Sequence, residues 1–197
     1  MRRRMIWGIC GLLLAARILT VWKFTARSAY ESAAYTVAVQ DGEFEIREYL
    51  DLVLATTPMR RGSQGNDGSF MRLFGYISGK NSEDQKLAMT IPVFMETPDE
   101  ESAVMGFVVP QRVVEHGVPS PLATNVEIKT RSHGRFAVIR FSGQITSETT
   151  TDNQSKLRSW MQDNGLEGEA GSEVAGYDPP WLPGPLRRNE ILIRITE

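Results

Sequence analysis

The side chains best suited to chemistry in this sequence are aromatic and arginine residues of two segments. One segment is a predicted helix whose apolar face follows the i, i+3, i+4, i+7 spacing and consists of Phe70, Leu73, Phe74 and Ile77. The other, residues 176–191, reads GYDPPWLPGPLRRNEI. Its prolines fix φ and remove backbone donors, so we expect this loop to hold its aromatic and arginine side chains at low entropic cost.

Together the two segments predict an apolar cleft with a cationic mouth. The wall would combine the helix face with methionines of a predicted strand and aromatics of the loop, namely Met89, Met95, Tyr177 and Trp181. The mouth would carry Arg72, Arg187 and Arg188, whose planar guanidinium groups pair well with carboxylates. Such a cleft suits a flat, apolar, anionic ligand. A second interpretation, in which the helix residues and the tryptophan are ordinary core side chains, fits the same pattern.

Composition and charge argue against several other classes of protein. The chain has 197 residues, is 41% hydrophobic and carries a formal net charge of −2, so it lacks the basic character of a nucleic-acid binder. A single cysteine, Cys10, and two histidines, His116 and His133, leave no disulfide, redox pair or multi-histidine metal site within one chain. Protease, nucleotide-binding and dinucleotide-binding motifs do not occur, so the sequence predicts no enzyme.

Residues 1–34 are typical of a membrane-targeting segment followed by a short linker. Three arginines at positions 2–4 precede an apolar run, residues 5–22, which Arg17 interrupts. A basic start followed by about 18 largely apolar residues indicates a signal anchor or a secretory signal. Poor cleavage sites favour an uncleaved anchor. The positive-inside rule then predicts, for a bacterial protein, a domain on the periplasmic side; secretion after cleavage is the alternative.

Residues 35–197 predict one α+β domain with an internal repeat. Strand, strand, helix, strand, strand is the order from Tyr35, and a similar order follows from Asn125. We expect Asp67 or Ser69 to be the N-cap of the first helix and Ser147 to be the N-cap of the second. The predicted fold is a distorted antiparallel β-barrel or curved sheet, pseudo-duplicated, with two flanking helices. The alternating glutamates of the strand at 44–49 are expected in solvent.

Four motifs carry a resemblance to a known family. They are FEIREY at 44–49, LFGYISG at 73–79 with Asn81, MTIPV at 89–93 and the C-terminal string described above. With these motifs, residues 35–195 resemble the SOUL family, also called the SOUL/haem-binding protein family. The resemblance implies a barrel-like fold of two helices, no enzymatic activity, and binding of haem or a related tetrapyrrole in a shallow apolar groove for sequestration or transfer.

The resemblance, combined with the residue patterns, predicts a set of ligand contacts. These are Phe70, Arg72, Leu73, Phe74, Tyr76, Ile77, Met89, Tyr177, Trp181, Arg187 and Arg188. Glu48 stands where some family members have a proposed axial histidine, and basic positions of animal members correspond to Gly75 and roughly Leu182. We therefore expect haem without a strong axial protein ligand, although either histidine remains open as one. Another apolar organic effector or a partner peptide is the alternative ligand.

Overall fold

The structure is a computed structural model that describes residues 27–60, 62–63, 65–97 and 103–196. Its strands are β1 (Glu31–Ser32), β2 (Tyr35–Asp41), β3 (Phe44–Tyr49), β4 (Leu52–Met59), β5 (Thr90–Ile91), β6 (Val93–Thr97), β7 (Ala103–Val108), β8 (Glu127–Arg131), β9 (Gly134–Phe141), β10 (Ser172–Gly176) and β11 (Asn189–Arg194). Its helices are α1 (Ser69–Ile77), α2 (Gln111–His116) and α3 (Ser147–Asp163), and single 3-10 turns lie at Arg27–Ala29 and Gly184–Leu186.

Nine of the strands form one antiparallel sheet in the order β2-β3-β9-β11-β10-β6-β7-β4-β8. The predicted α+β class and large antiparallel sheet are confirmed. The prediction of a β-barrel is wrong for the part of the chain that the structure describes: the sheet does not close, because β2 and β8 are its two unpaired edges. β2 is exposed along nearly its whole length and its register shifts between Val37 and Val39, which weakens it as a closing strand. A third helix, α2, was not predicted because its short length carries little periodicity.

The strand order is symmetric about the β10–β6 pair. Each half has two strands, a helix and two further strands: β3, β4, α1, β6 and β7 in the first half, and β8, β9, α3, β10 and β11 in the second. Corresponding strands lie at equal distances from the centre of the sheet. Each half also contributes its first repeat strand to the other half, since β3 pairs with β9 and β8 pairs with β4. This arrangement matches the repeated element order in the sequence and places one long helix in each half.

Alternation along the strands gives the sheet two apolar faces. The face that the helices cover carries one apolar cluster under α1 and another under α3. The two clusters adjoin, because Val174 of the first and Ile191 of the second are register partners on neighbouring strands. The opposite face carries a third cluster, which includes Phe94, Phe136 and Tyr177. Side chains next to each other in sequence, such as Leu54 and Ala55, therefore belong to different clusters.

Local hydrogen bonds fix where the two long helices begin. The Asp67 carboxylate accepts from the Ser69 backbone N at 3.1 Å and from its Oγ at 2.7 Å, while Gly68 adopts a φ of 87° as the chain enters α1. α3 begins one residue earlier than a Ser147 cap would imply. Thr146 is the cap, and Thr149 completes a capping box with it.

Residues 27–34, which the sequence-based division groups with the linker, pack against the domain. β1 pairs with β5 in parallel, and Ala33 is buried in the cluster of the opposite face. Arg27 donates to the Asp178 carboxylate and to the Leu186 carbonyl oxygen. No helix among the residues that the structure describes is long and apolar enough to cross a membrane. The predicted anchor falls in residues 1–26, outside that part of the chain.

Candidate functional site

A cleft of about 280 Å³ runs along α1 on the side that faces the segment 119–126. Its lining is mostly apolar with two cations, and consists of Gly68, Met71, Arg72, Gly75, Tyr76, Lys80, Pro121, Ala123 and Val126. The helix contributes positions 68, 71, 72, 75 and 76, which helical spacing brings to one side. The cleft therefore lies beside the buried stripe of α1 rather than beneath it.

The sequence-predicted residues of α1 divide between core and surface. Leu73 and Ile77 are buried in the cluster under α1, where the half-buried Met89 also packs, so these three act as core side chains. Phe74 is exposed and stacks on Phe70 with ring centroids 6.3 Å apart. Met71, absent from the predicted set, is 63% exposed and lines the cleft. An unusually apolar helix surface therefore faces solvent here.

Tyr76 joins the helix to the other wall of the cleft. Its side chain is buried, and its hydroxyl donates to the Pro119 carbonyl oxygen at 2.9 Å. Burial raises the pKa of Tyr76 to about 12, so the phenol stays neutral and keeps donating. Asn81 holds the turn after the helix by donating to the Tyr76 and Gln85 carbonyl oxygens. These bonds hold Tyr76 and the turn after α1 in place beside the cleft.

Arg72 is a fixed cation at the rim of the cleft. Its Nε donates to Thr57 Oγ1 at 3.0 Å, and its Nη2 donates to the Pro58 carbonyl oxygen at 2.5 Å. Its Nη1 lies 3.4 Å from the Asp67 carbonyl oxygen. All three acceptors are neutral, so these bonds orient the guanidinium group without cancelling its charge.

Lys80 brings a second positive charge to the rim. It lies against the helix at Gly75, where a Cβ would come within 3.2 Å of the lysine Cδ. The glycine leaves the helix surface bare, so the lysine stem can lie flat across it while the ammonium group reaches solvent. Lys80 was not predicted as a ligand contact, because its position across the helix depends on the absence of a side chain at Gly75.

Tyr177 and Arg188 lie on the opposite face of the sheet, in a buried ion network. Arg47 donates from Nη1 and Nη2 to the Glu190 carboxylate at 2.7 and 2.9 Å and from Nε to Glu45 at 2.6 Å. Arg188 donates to Glu190 Oε1 at 2.6 Å, and the Tyr177 hydroxyl donates to Oε2 at 2.8 Å. The sheet thus separates these two predicted contacts from the α1 cleft.

The network holds its charges at neutral pH. Burial by itself would raise the pKa of the Glu190 carboxyl, but hydrogen bonds and charge from Arg47, with the charge of Arg188, hold that pKa below its ordinary value. Burial would lower the pKa of Arg47, yet its hydrogen bond and attraction to Glu190 raise it. Burial and the Glu190 charge raise the pKa of Tyr177, which stays a neutral donor. These groups satisfy one another within the fold.

Trp181 and Arg187 belong to the loop between β10 and β11. Trp181 is 74% exposed, so it is not a core side chain. The Arg187 guanidinium donates to the carbonyl oxygens of Leu182, at 2.7 Å, and of Pro180. Arg187 therefore braces the proline-rich backbone, and neither residue is among those that line the cleft.

Comparison with known proteins identifies the family. The family model described as "SOUL heme-binding protein" matches residues 30–194. The chain belongs to the SOUL family. The SOUL domain is 24% identical to "Heme-binding protein 1" of Xenopus laevis over 161 residues, 79% of this chain and 82% of that protein. It is 27% identical to "Heme-binding protein 2" of Homo sapiens over 150 residues, 72% of this chain and 73% of the relative.

Solved structures share the fold of the SOUL domain at low sequence identity. The EcmrR C-terminal domain superposes with a TM-score of 0.60 at 14% identity, covering 83% of this chain and 98% of that one. A hydrolase from Listeria innocua superposes with a TM-score of 0.56 at 9% identity, covering 81% and 94%. Identities this low show a common architecture and leave ligand and activity to be argued from the site.

The histidines of the SOUL domain lie apart from the cleft lining. His116 is exposed at the end of α2, with Nδ1 2.7 Å from the Arg112 carbonyl oxygen. His133 is exposed in the turn before β9, with Nδ1 3.1 Å from Asp51 Oδ1. Glu48 is exposed on β3. Within the described ranges, no group of three or more histidine, cysteine or acidic residues is arranged to hold a metal ion.

Proposed function

We propose that this SOUL domain binds haem or a related tetrapyrrole in the α1 cleft, as a binding protein and not an enzyme. The observation that carries the proposal is that exposed Met71 lines the cleft together with the cations Arg72 and Lys80, while exposed Phe74 lies on the same helix. Apolar side chains can cover a flat macrocycle, and methionine sulfur contacts aromatic rings favourably. The two cations can pair with its carboxylates. Family membership supports the same ligand class.

The size of the cleft favours partial enclosure of the ligand. Its volume of about 280 Å³ is just below the range of roughly 300–1,000 Å³ found for small-molecule pockets. A tetrapyrrole would therefore lie across the cleft with one face in solvent. Incomplete burial gives moderate affinity and easy release, which suits sequestration or transfer better than permanent retention.

The first test follows from the chemistry of the lining, which includes no histidine or cysteine. If apolar contact and the two cations supply the affinity, iron is dispensable. We expect metal-free protoporphyrin IX to bind within about threefold of ferric haem, since a threefold change corresponds to less than about 1 kcal/mol. Titrations followed by porphyrin fluorescence and by Soret absorbance measure the two dissociation constants.

The matched variant for this test is His116→Ala/His133→Ala. Both residues are exposed, so the substitutions leave the core intact. Unchanged haem affinity and an unchanged Soret band are the expected results. A large loss of haem binding in this variant, with metal-free porphyrin failing to bind the unaltered protein, would assign the affinity to an axial histidine and refute the cleft. Failure of both pigments to bind would favour another organic effector or a peptide.

We also propose that residues 1–26 tether the domain to a membrane, with the domain exported. The support is the sequence alone, namely the arginines at positions 2–4 and the apolar run of residues 5–22. The full chain is expected to sediment with membranes and to stay there in high salt, because an apolar segment is not released by screening of charge. Recovery of most of the protein as a shortened soluble form would show a cleaved signal instead.

A further inference from the structure

Large apolar side chains are exposed around the segment 177–188, here named the proline loop. Trp181 is 74% exposed and Leu186 is 61% exposed. Tyr30, also exposed, directly follows the 3-10 turn Arg27–Ala29, and its backbone N–H donates to the Arg27 carbonyl oxygen. Arg27 itself donates to the Leu186 carbonyl oxygen at 2.9 Å. The start of the described chain, which carries Tyr30, is thus bonded to the loop that carries Trp181 and Leu186.

The proline loop is suited to enter an interface between water and lipid. Its prolines at 179, 180, 183 and 185 have no backbone N–H, which lowers the cost of removing the loop from water. Its one carboxylate, on Asp178, has a side chain only 2% exposed and pairs with Arg27. The Arg187 guanidinium bonds neutral carbonyl oxygens, so it keeps its positive charge. Anionic headgroups meet no exposed carboxylate here.

The tie through Arg27 fixes how far this surface can lie from the apolar run. Arg27 Nε and Nη2 donate to the two Asp178 oxygens at 3.0 and 2.8 Å. The apolar run ends at Trp22, five residues before Arg27. A chain of that length spans at most about 18 Å even when fully extended. Wherever the apolar run meets the bilayer surface, the proline loop must therefore be close to that surface.

We propose that the proline loop docks on the lipid surface beside the tether, with Trp181 and Leu186 at headgroup depth and Arg187 facing lipid phosphates. Tryptophan and tyrosine are enriched at this depth because they combine an apolar ring with a polar atom. The inference rests on the proposed membrane tether and is independent of the tetrapyrrole site. It assigns Trp181 and Arg187 to a lipid contact, away from the cleft along α1.

The test measures the depth of one loop position in the membrane-bound full chain. In a Cys10→Ser background, Leu186→Cys carries a nitroxide label, and Leu50→Cys carries it in the control. Leu50 is 78% exposed in the turn between β3 and β4, outside the proline loop. The proteins are reconstituted in vesicles of phosphatidylcholine and phosphatidylglycerol in equal amounts. Collision of the label with oxygen and with a water-soluble nickel chelate is then compared.

We expect the Leu186→Cys label to collide more with oxygen than with nickel, and the Leu50→Cys label to show the reverse. Equal, nickel-dominated collision at both positions would overturn docking while leaving the tether in place. Shielding from both reagents in vesicles and in detergent would show that the protein itself covers the loop, which also overturns the proposal. Loss of the full chain from the vesicles would overturn tether and docking together, without bearing on porphyrin binding, which is titrated separately.

Discussion

Glu190→Gln is expected to lower the free energy of unfolding by roughly 3–5 kcal/mol, because breaking a buried ion pair by removing one partner is strongly destabilising. Arg47 would keep only the Glu45 carboxylate as its counter-charge. The Arg47 guanidinium has no exposed surface, and Glu190 accepts two of its hydrogen bonds. The substitution also removes the negative charge that compensates Arg188, which donates to the same carboxylate. Urea denaturation of the two proteins at neutral pH measures the difference.

The control is Glu127→Gln, which removes an exposed pair with Lys129. Exposed pairs contribute about 0–1 kcal/mol, so this variant should unfold close to the unaltered protein. The Glu190 pKa is held below its ordinary value, so its stabilisation is present above the unfolded pKa of about 4.3 and is lost as pH falls through the folded value. A Glu190→Gln protein as stable as the control would refute the network as a main support of the fold.

The periodicity of the sequence predicted the helices and strands of this fold better than it predicted which of their side chains are buried. The helical spacing identified α1 correctly, yet it could not tell that Leu73 faces the core while Phe74 faces solvent. On β3, the glutamates were expected in solvent, and for Glu45 that expectation is wrong. Glu45 is buried because it binds Arg47 and Arg140, and the latter comes from β9, far away in sequence. Such partners are set by sheet pairing, which alternation along one strand does not reveal.

The candidate site shows the same limit. Arg72 and Tyr76 were predicted and do line the cleft. Met71 and Lys80 were missed, because their roles depend on the segment 119–126 packing beside α1 and on the bare surface at Gly75. The sequence also grouped the aromatic and arginine residues of the proline loop with the helix. Tyr177 cannot contribute to the cleft along α1, because it belongs to the cluster on the other face of the sheet.

The second large effect concerns the ligand. Met71→Ala/Lys80→Glu should weaken haem binding by about a hundredfold, since each 1.4 kcal/mol is about tenfold. Loss of a charged hydrogen bond costs about 1.5–3 kcal/mol, and each methylene no longer covered costs about 0.8 kcal/mol. Both side chains are exposed, so the free energy of unfolding should change little. The control, Leu50→Ala/Lys86→Glu, truncates one apolar side chain and reverses one lysine charge at exposed positions outside the cleft.

The most direct measurement is the dissociation constant of ferric haem for the unaltered protein, the cleft variant and the control variant, from Soret titrations in one buffer. If the α1 cleft is the tetrapyrrole site, the control binds like the unaltered protein and the cleft variant binds about a hundredfold more weakly. Equal affinity in all three proteins would contradict the proposed site. Absence of haem binding by the unaltered protein would contradict haem as the ligand.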